Sequence, residues 1–180
     1  MNTKIFKQIH IYTSIFFLPM ALLFAITGAF YILGYNQDHG MQKERYEILH
    51  NKPIENLKDF ILNFLKENQL PLPKDTSITE NSKYGVIMGS PKYFISIEQK
   101  PKKLVLQTNT RSFYGNLVML HKGKVGVLFQ AFNIIFAAAL FLFYFSGLVM
   151  TSWCKKIRKG VIISLILGIS ITTTLAYISL

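Results

Sequence analysis

No disulfide can form within this chain, because Cys154 is its only cysteine. Any folded part must therefore be held by its own apolar core. Acid is scarce as well: there are nine carboxylates, all between Asp38 and Glu98, interleaved with basic residues. A formal charge of +11 would suggest nucleic acid, but the distribution argues against it. Outside the central segment the basic residues are Lys4, Lys7, Lys155, Lys156, Arg158 and Lys159, and they flank apolar runs rather than line a groove for phosphates. No glycine-rich phosphate loop, metalloprotease helix or recognisable nucleophile motif is present. Only four histidines occur, so metal or proton chemistry can be considered one residue at a time.

Apolar length is abundant. Hydrophobic residues make up 51% of the chain and its mean hydropathy is +0.31, too apolar for an ordinary soluble domain. Ile11 to Leu33, Val125 to Met150 and Val161 to Ile178 carry no charge, and about 20 such residues cross a bilayer. The first run follows Lys4 and Lys7 but is too long for a cleavable signal, so it reads as an anchor. The expected organisation is residues 1–34 as N-terminus and first span and 35–124 as an extracytoplasmic domain. It continues with 125–153 as second span, 154–160 as a basic cytoplasmic turn and 161–180 as third span. The basic flanks place the N-terminus and that turn in the cytoplasm.

Residues 35–124 are enough for one small domain. Pro53 to Asn68 has a 3.6-residue apolar period and predicts an amphipathic helix. Tyr84–Met88, Tyr93–Glu98 and Leu104–Thr108 predict strands separated by Gly-Ser-Pro and Gln-Lys-Pro-Lys turns, with Tyr46–Leu49 as a further short strand. A helix on a small antiparallel sheet makes the fold class α+β. In the first span His10, Ser14, Phe17, Ala21, Phe24, Gly28 and Tyr31 share a face whose small residues suit close helix packing. In the second, Gly126, Gln130, Asn133, Ala137, Leu140, Tyr144 and Gly147 do the same, with Gln130 and Asn133 expected to bond to a neighbouring helix.

Taken in order, several features resemble the PepSY-associated transmembrane family. They are Lys7-Gln8-Ile9-His10 opening the first span, Thr27-Gly28 near its end, the helix-plus-hairpins module and Leu120-His121-Lys122-Gly123. Ser146-Gly147 followed by Trp153 completes the series. The resemblance covers roughly residues 4 to 159. It implies a protein of the bacterial inner membrane linked to iron assimilation. Larger members look like two copies of this unit and act as ferric-siderophore reductases with haem on histidines; this chain is one unit. The cofactor implied is haem b, with His10 and His121 as the first candidates and His39 and then His50 behind them.

His10 and His121 are expected at opposite leaflets, about 30 Å of hydrocarbon apart. Axial imidazoles must both lie about 2 Å from a metal, so these two cannot share one haem within a chain. Either each pairs with its twin in a symmetric homodimer, or His39 meets His121. Soft copper ligation by His39, Met41, Met119 and His121 is a rival. Two functional classes stay open: electron transfer to an extracytoplasmic ferric iron or ferric chelate, and a non-catalytic membrane-anchored module that binds a periplasmic partner.

Overall fold

The structure is a computed structural model, which describes residues 3–49, 54, 56–100, 102–152 and 157–180. Its elements in chain order are α1 (Thr3–Ile32), β1 (Gln42–Leu49), α2 (Leu57–Glu67), β2 (Ile78–Asn81) and β3 (Gly85–Gly89). They continue with β4 (Tyr93–Lys100), β5 (Lys103–Thr110), α3 (Phe113–His121), α4 (Val127–Ser152) and α5 (Arg158–Ser179). Among the described residues, three helical segments are long and apolar enough to cross a membrane: Lys7–Ile32, Val127–Met150 and Arg158–Ser179. Their exposed surfaces carry Ile, Leu and Phe on many sides, as lipid-facing helices must. Together with the antiparallel sheet and its helices they make an α+β membrane protein.

Two compact units divide the chain: residues 1–20 with 134–180, and residues 21–133. In the first, α1 and α4 interlock through aromatic rings. Phe17 meets Phe136 at 5.6 Å and Phe143 at 6.4 Å between centroids, and Phe17, Met20, Phe136 and Ala139 are buried. The packed face of this part of α4 therefore runs through Phe136, Ala139, Phe143 and Ser146. The small-residue stripe through Ala137, Tyr144 and Gly147 is displaced by one position: Ala137 and Tyr144 are exposed, and a Cβ on Gly147 would touch nothing. Large interdigitating rings bury more area than a seam of small residues, and they set the rotation of the helix.

The second unit contains the sheet, of order β1-β5-β4-β3-β2 with every pair antiparallel. Ile61 and Leu65 of α2 pack on Met88, Ile95, Ile97, Leu104 and Leu106. Because side chains alternate along a strand, Phe94, Val105 and Asn109 belong to the opposite face, where they too are buried. The α2 helix starts at Leu57, capped by the Asn56 side chain, which accepts from the Asp59 amide at 3.2 Å. Pro53, the expected start, and Pro101 lie outside the described residues. The strands at Tyr46, Tyr84, Tyr93 and Leu104 are all present with slightly different ends. Two elements were not anticipated: β2, whose Thr-Glu-Asn sequence has no alternation, and the nine-residue α3.

Leu65→Ala should destabilise the sheet unit by about 2–5 kcal/mol, as for other large-to-small changes in a closed core. A urea titration of the detergent-solubilised chain checks this. On α4, Ala139→Leu should cost about 1–3 kcal/mol by overpacking, whereas Ala137→Leu should leave the melting midpoint nearly unchanged; equal effects would place the packed face elsewhere.

Candidate functional site

The Leu120-His121-Lys122-Gly123 segment ends α3 and turns the chain toward α4. Gly123 has φ +65, which a side-chain-bearing residue rarely adopts. Its amide donates to the Leu120 carbonyl at 2.9 Å, and the Lys124 amide donates to the Met119 carbonyl at 3.0 Å. That pair of bonds is a Schellman ending. His121 is thus the last residue of a separate short helix and not part of the membrane-spanning α4. The remaining carbonyls of that end are met by Asn133: its Nδ2 donates to Leu120 O at 2.9 Å and to His121 O at 3.2 Å. The polar residue inside the apolar run therefore caps the C-terminus of α3.

The His121 ring stacks on Phe24 of α1, with centroids 4.0 Å apart and planes 22° from parallel. Its Nδ1 lies 2.6 Å from Oγ1 of the buried Thr27. Thr27 donates its single hydroxyl proton to the Leu23 carbonyl at 2.5 Å. With that proton on the carbonyl the oxygen accepts, which would put the His121 proton on Nδ1 and leave Nε2 its lone pair. A Cβ on Gly28 would stand 3.9 Å from Cε1 of the imidazole, so glycine leaves the space beside the ring open. Tyr114 ties the same region together by donating to Tyr35 O at 2.7 Å. Lys122 Nζ bonds Gln37 Oε1 at 2.8 Å and lies 4.6 Å from the centre of the Tyr31 ring. Burial, and secondarily the neighbouring Lys122 charge, hold the His121 pKa below its ordinary value, which favours the neutral ring.

In the other unit His10 has the same arrangement. Its Nδ1 is 2.9 Å from Ser146 Oγ, and Ser146 donates to the Phe143 carbonyl at 3.0 Å. With that proton on the carbonyl the hydroxyl accepts from the imidazole, which would put the His10 proton on Nδ1 and leave Nε2 bare. Phe143 packs edge-on to the imidazole at 5.7 Å. His10 lines two apolar cavities of about 640 and 380 Å³, the larger walled by Phe141, Phe145, Leu148, Val161 and Leu165 among others. Neither lining contains a second imidazole.

His39 is exposed, edge-on to Tyr35 at 4.6 Å, and its carbonyl accepts from Ser112 Oγ at 2.6 Å. Met41 is half-buried and Met119 buried. His50 lies outside the described residues, as do Trp153 and Cys154. Among the described residues no three His, Cys, Asp or Glu side chains converge as a metal site. The residues that sequence reasoning did not assign a role are Thr27, Ser146 and Phe24. Their signal was present, since hydroxyls inside apolar runs must find internal partners.

A family model described as the PepSY-associated TM region matches residues 2–156. That stretch contains both histidines and both hydroxyls. No curated protein and no solved structure matches the chain.

Thr27→Val should leave the His121 Nδ1 proton without its acceptor, at a cost of about 1–3 kcal/mol. Nitrogen NMR of the labelled ring should then report mixed tautomers in place of one. The lowered His121 pKa makes its stabilising effect greatest above the unfolded-state value, and that effect is lost as pH falls through the folded-state value. Melting midpoints measured downward from about pH 7 should fall more steeply for the wild type than for His121→Gln.

Proposed function

The chain belongs to the PepSY-associated TM region family, and on that premise we propose that it passes electrons across the bilayer by way of haem b held on His10 and His121. The acceptor in this proposal is ferric iron or a ferric chelate on the extracytoplasmic side. The observation that carries it is the shared hydroxyl clamp: both imidazoles have Nδ1 engaged by a hydroxyl whose own proton is committed to a helix carbonyl. A ligating histidine needs this arrangement, because the outer bond fixes its tautomer and orientation and raises the basicity of Nε2.

The donor sets suit the group. Neutral Nε2 atoms are good iron ligands, the cavity at His10 is lined mostly by apolar side chains, and glycine leaves room beside His121. Haem supplies a one-electron iron couple whose potential follows axial ligation and burial. What the chain contributes is position: Ser146 and Thr27 orient the rings, while Phe143 and Phe24 pack against them. Among the described residues the cavities at His10 contain one imidazole, so a twin residue of a two-fold related copy would help to hold the haem there. At His121 the twin or His39 would do so. The basic flanks of the spans mark the cytoplasmic side of the inner membrane in this scheme, and residues 35–124 are extracytoplasmic, where they dock the acceptor.

The visible spectrum of the detergent-purified protein tests the proposal. A Soret band is expected after haem-replete expression, with His10→Ala and His121→Ala each removing about half of it if each pairs with its twin. A colourless protein would overturn electron transfer and favour the other class, a membrane-anchored module that binds a partner without chemistry.

A further inference from the structure

On the sheet face opposite α2 there is a cleft of about 260 Å³ lined by Asn81, Tyr84, Ser90, Phe94, Arg111 and Lys124 among others. We propose that it is a binding site for the carboxylate of a small acid or of a chain terminus. This site is independent of the histidines and of any haem.

Arg111 follows β5 directly and its side chain is only 5% exposed. A buried guanidinium costs several kcal/mol unless charge and hydrogen bonds around it compensate, and here compensation is incomplete. Nη1 donates to the Pro91 carbonyl. Nη2 is 3.9 Å from Asp38 Oδ1, beyond hydrogen-bond reach; the Tyr84 hydroxyl also interacts with the guanidinium, and Nε, closed to solvent, has no partner among the described residues. Asp38 is itself shared, since Lys83 and the Tyr84 hydroxyl both bond to its carboxylate. Burial raises the Asp38 pKa, but those bonds and the Lys83 and Arg111 charges outweigh it and hold the carboxyl below its usual range. It is ionised and fully committed. Lys124, exposed at the rim, has no acidic partner among the described residues.

Lys83 and Arg111 therefore share the one carboxylate of Asp38, Lys124 stands in the cleft lining beside Arg111, and a further anion is what the charges lack. The local fold holds this arrangement in place. Gly89, at φ +134, allows the tight β3–β4 turn, because a Cβ there would lie 2.6 Å from the Tyr93 carbonyl. The turn presents the Pro91 carbonyl to Nη1. Phe94 lies 4.9 Å and Tyr84 5.9 Å from the guanidinium carbon, and the two rings, 4.8 Å apart, form one aromatic wall against which it rests. A planar guanidinium whose Nη2 lacks a close partner, with Lys124 in the same lining, matches a planar carboxylate. The volume is below the roughly 300–1,000 Å³ of sites for drug-sized ligands, so the occupant is a small acid or the last residue of a chain.

Isothermal titration of the full chain in detergent tests the assignment, with citrate, the tripeptide Gly-Gly-Phe, its C-terminal amide and inorganic phosphate as probes. Citrate binding identifies a small acid; binding of the free tripeptide but not its amide identifies a chain terminus; either supports the site. Arg111→Lys, which keeps the charge but loses the planar donors, should weaken the binding by about 10-fold or more. Lys124→Gln, at the rim and neutral for folding, should weaken it by about 3-fold and flatten its salt dependence. Melting midpoints establish that both variants are folded, and Lys124→Gln decides if Arg111→Lys is not. Binding of phosphate alone, equal binding of the amide, no binding of either carboxylate, or binding unchanged in the folded variants overturns the proposal.

Discussion

A hydroxyl that has given its only proton to its own helix can do nothing for an imidazole except accept. This constraint sets the chemistry at both histidines. Thr27 and Ser146 are bound to carbonyls one turn back, an arrangement in which each ring would keep a proton on Nδ1 and present a bare Nε2. Apolar surroundings enforce the pattern, because a polar group there has no water to fall back on. Asn133 obeys the same rule in a different role. Its amide donates to the last carbonyls of α3, which Gly123 and the Schellman bonds bring to an end beside it.

The sheet unit uses its two faces differently. One face is closed by α2 over an aliphatic core of Ile, Leu and Met. The other has a polar network in which Asn109 Nδ2 donates to Gln107 O at 2.8 Å while its Oδ1 accepts from Gln107 Nε2 at 2.9 Å, and it ends at the cationic cleft around Arg111. An aliphatic face stabilises and says little about ligands. A face with a committed carboxylate and surplus cations is a recognition surface, for the same electrostatic reason that makes a buried lone cation costly.

Membrane character, the α+β class and four of the five strands were legible along the chain, because each depends on composition or on a short period. The four strands alternate strongly enough to be found, while β2, with polar Thr79, Glu80 and Asn81, does not. The α3 helix is nine residues of nearly uniform character with no apolar stripe to announce it. The rotation of α4 was misjudged by one position, since small residues suggested a seam and the bulk of Phe136 and Phe143 decided it.

Both histidines stood out by their scarcity and their places at the ends of apolar runs, and the motif residues Thr27 and Ser146 stood beside glycines in the chain. That Thr27 clamps His121 across 94 residues, and Ser146 clamps His10 across 136, is a matter of which helix faces meet. So is the convergence of Asp38, Lys83, Tyr84 and Arg111. The sequence by itself determined solvent and secondary structure, which follow from length, charge and local period. Only the tertiary structure decided which nitrogen is bare and which cation is uncompensated, because hydrogen bonds and ion pairs are set by distances between residues far apart in the chain.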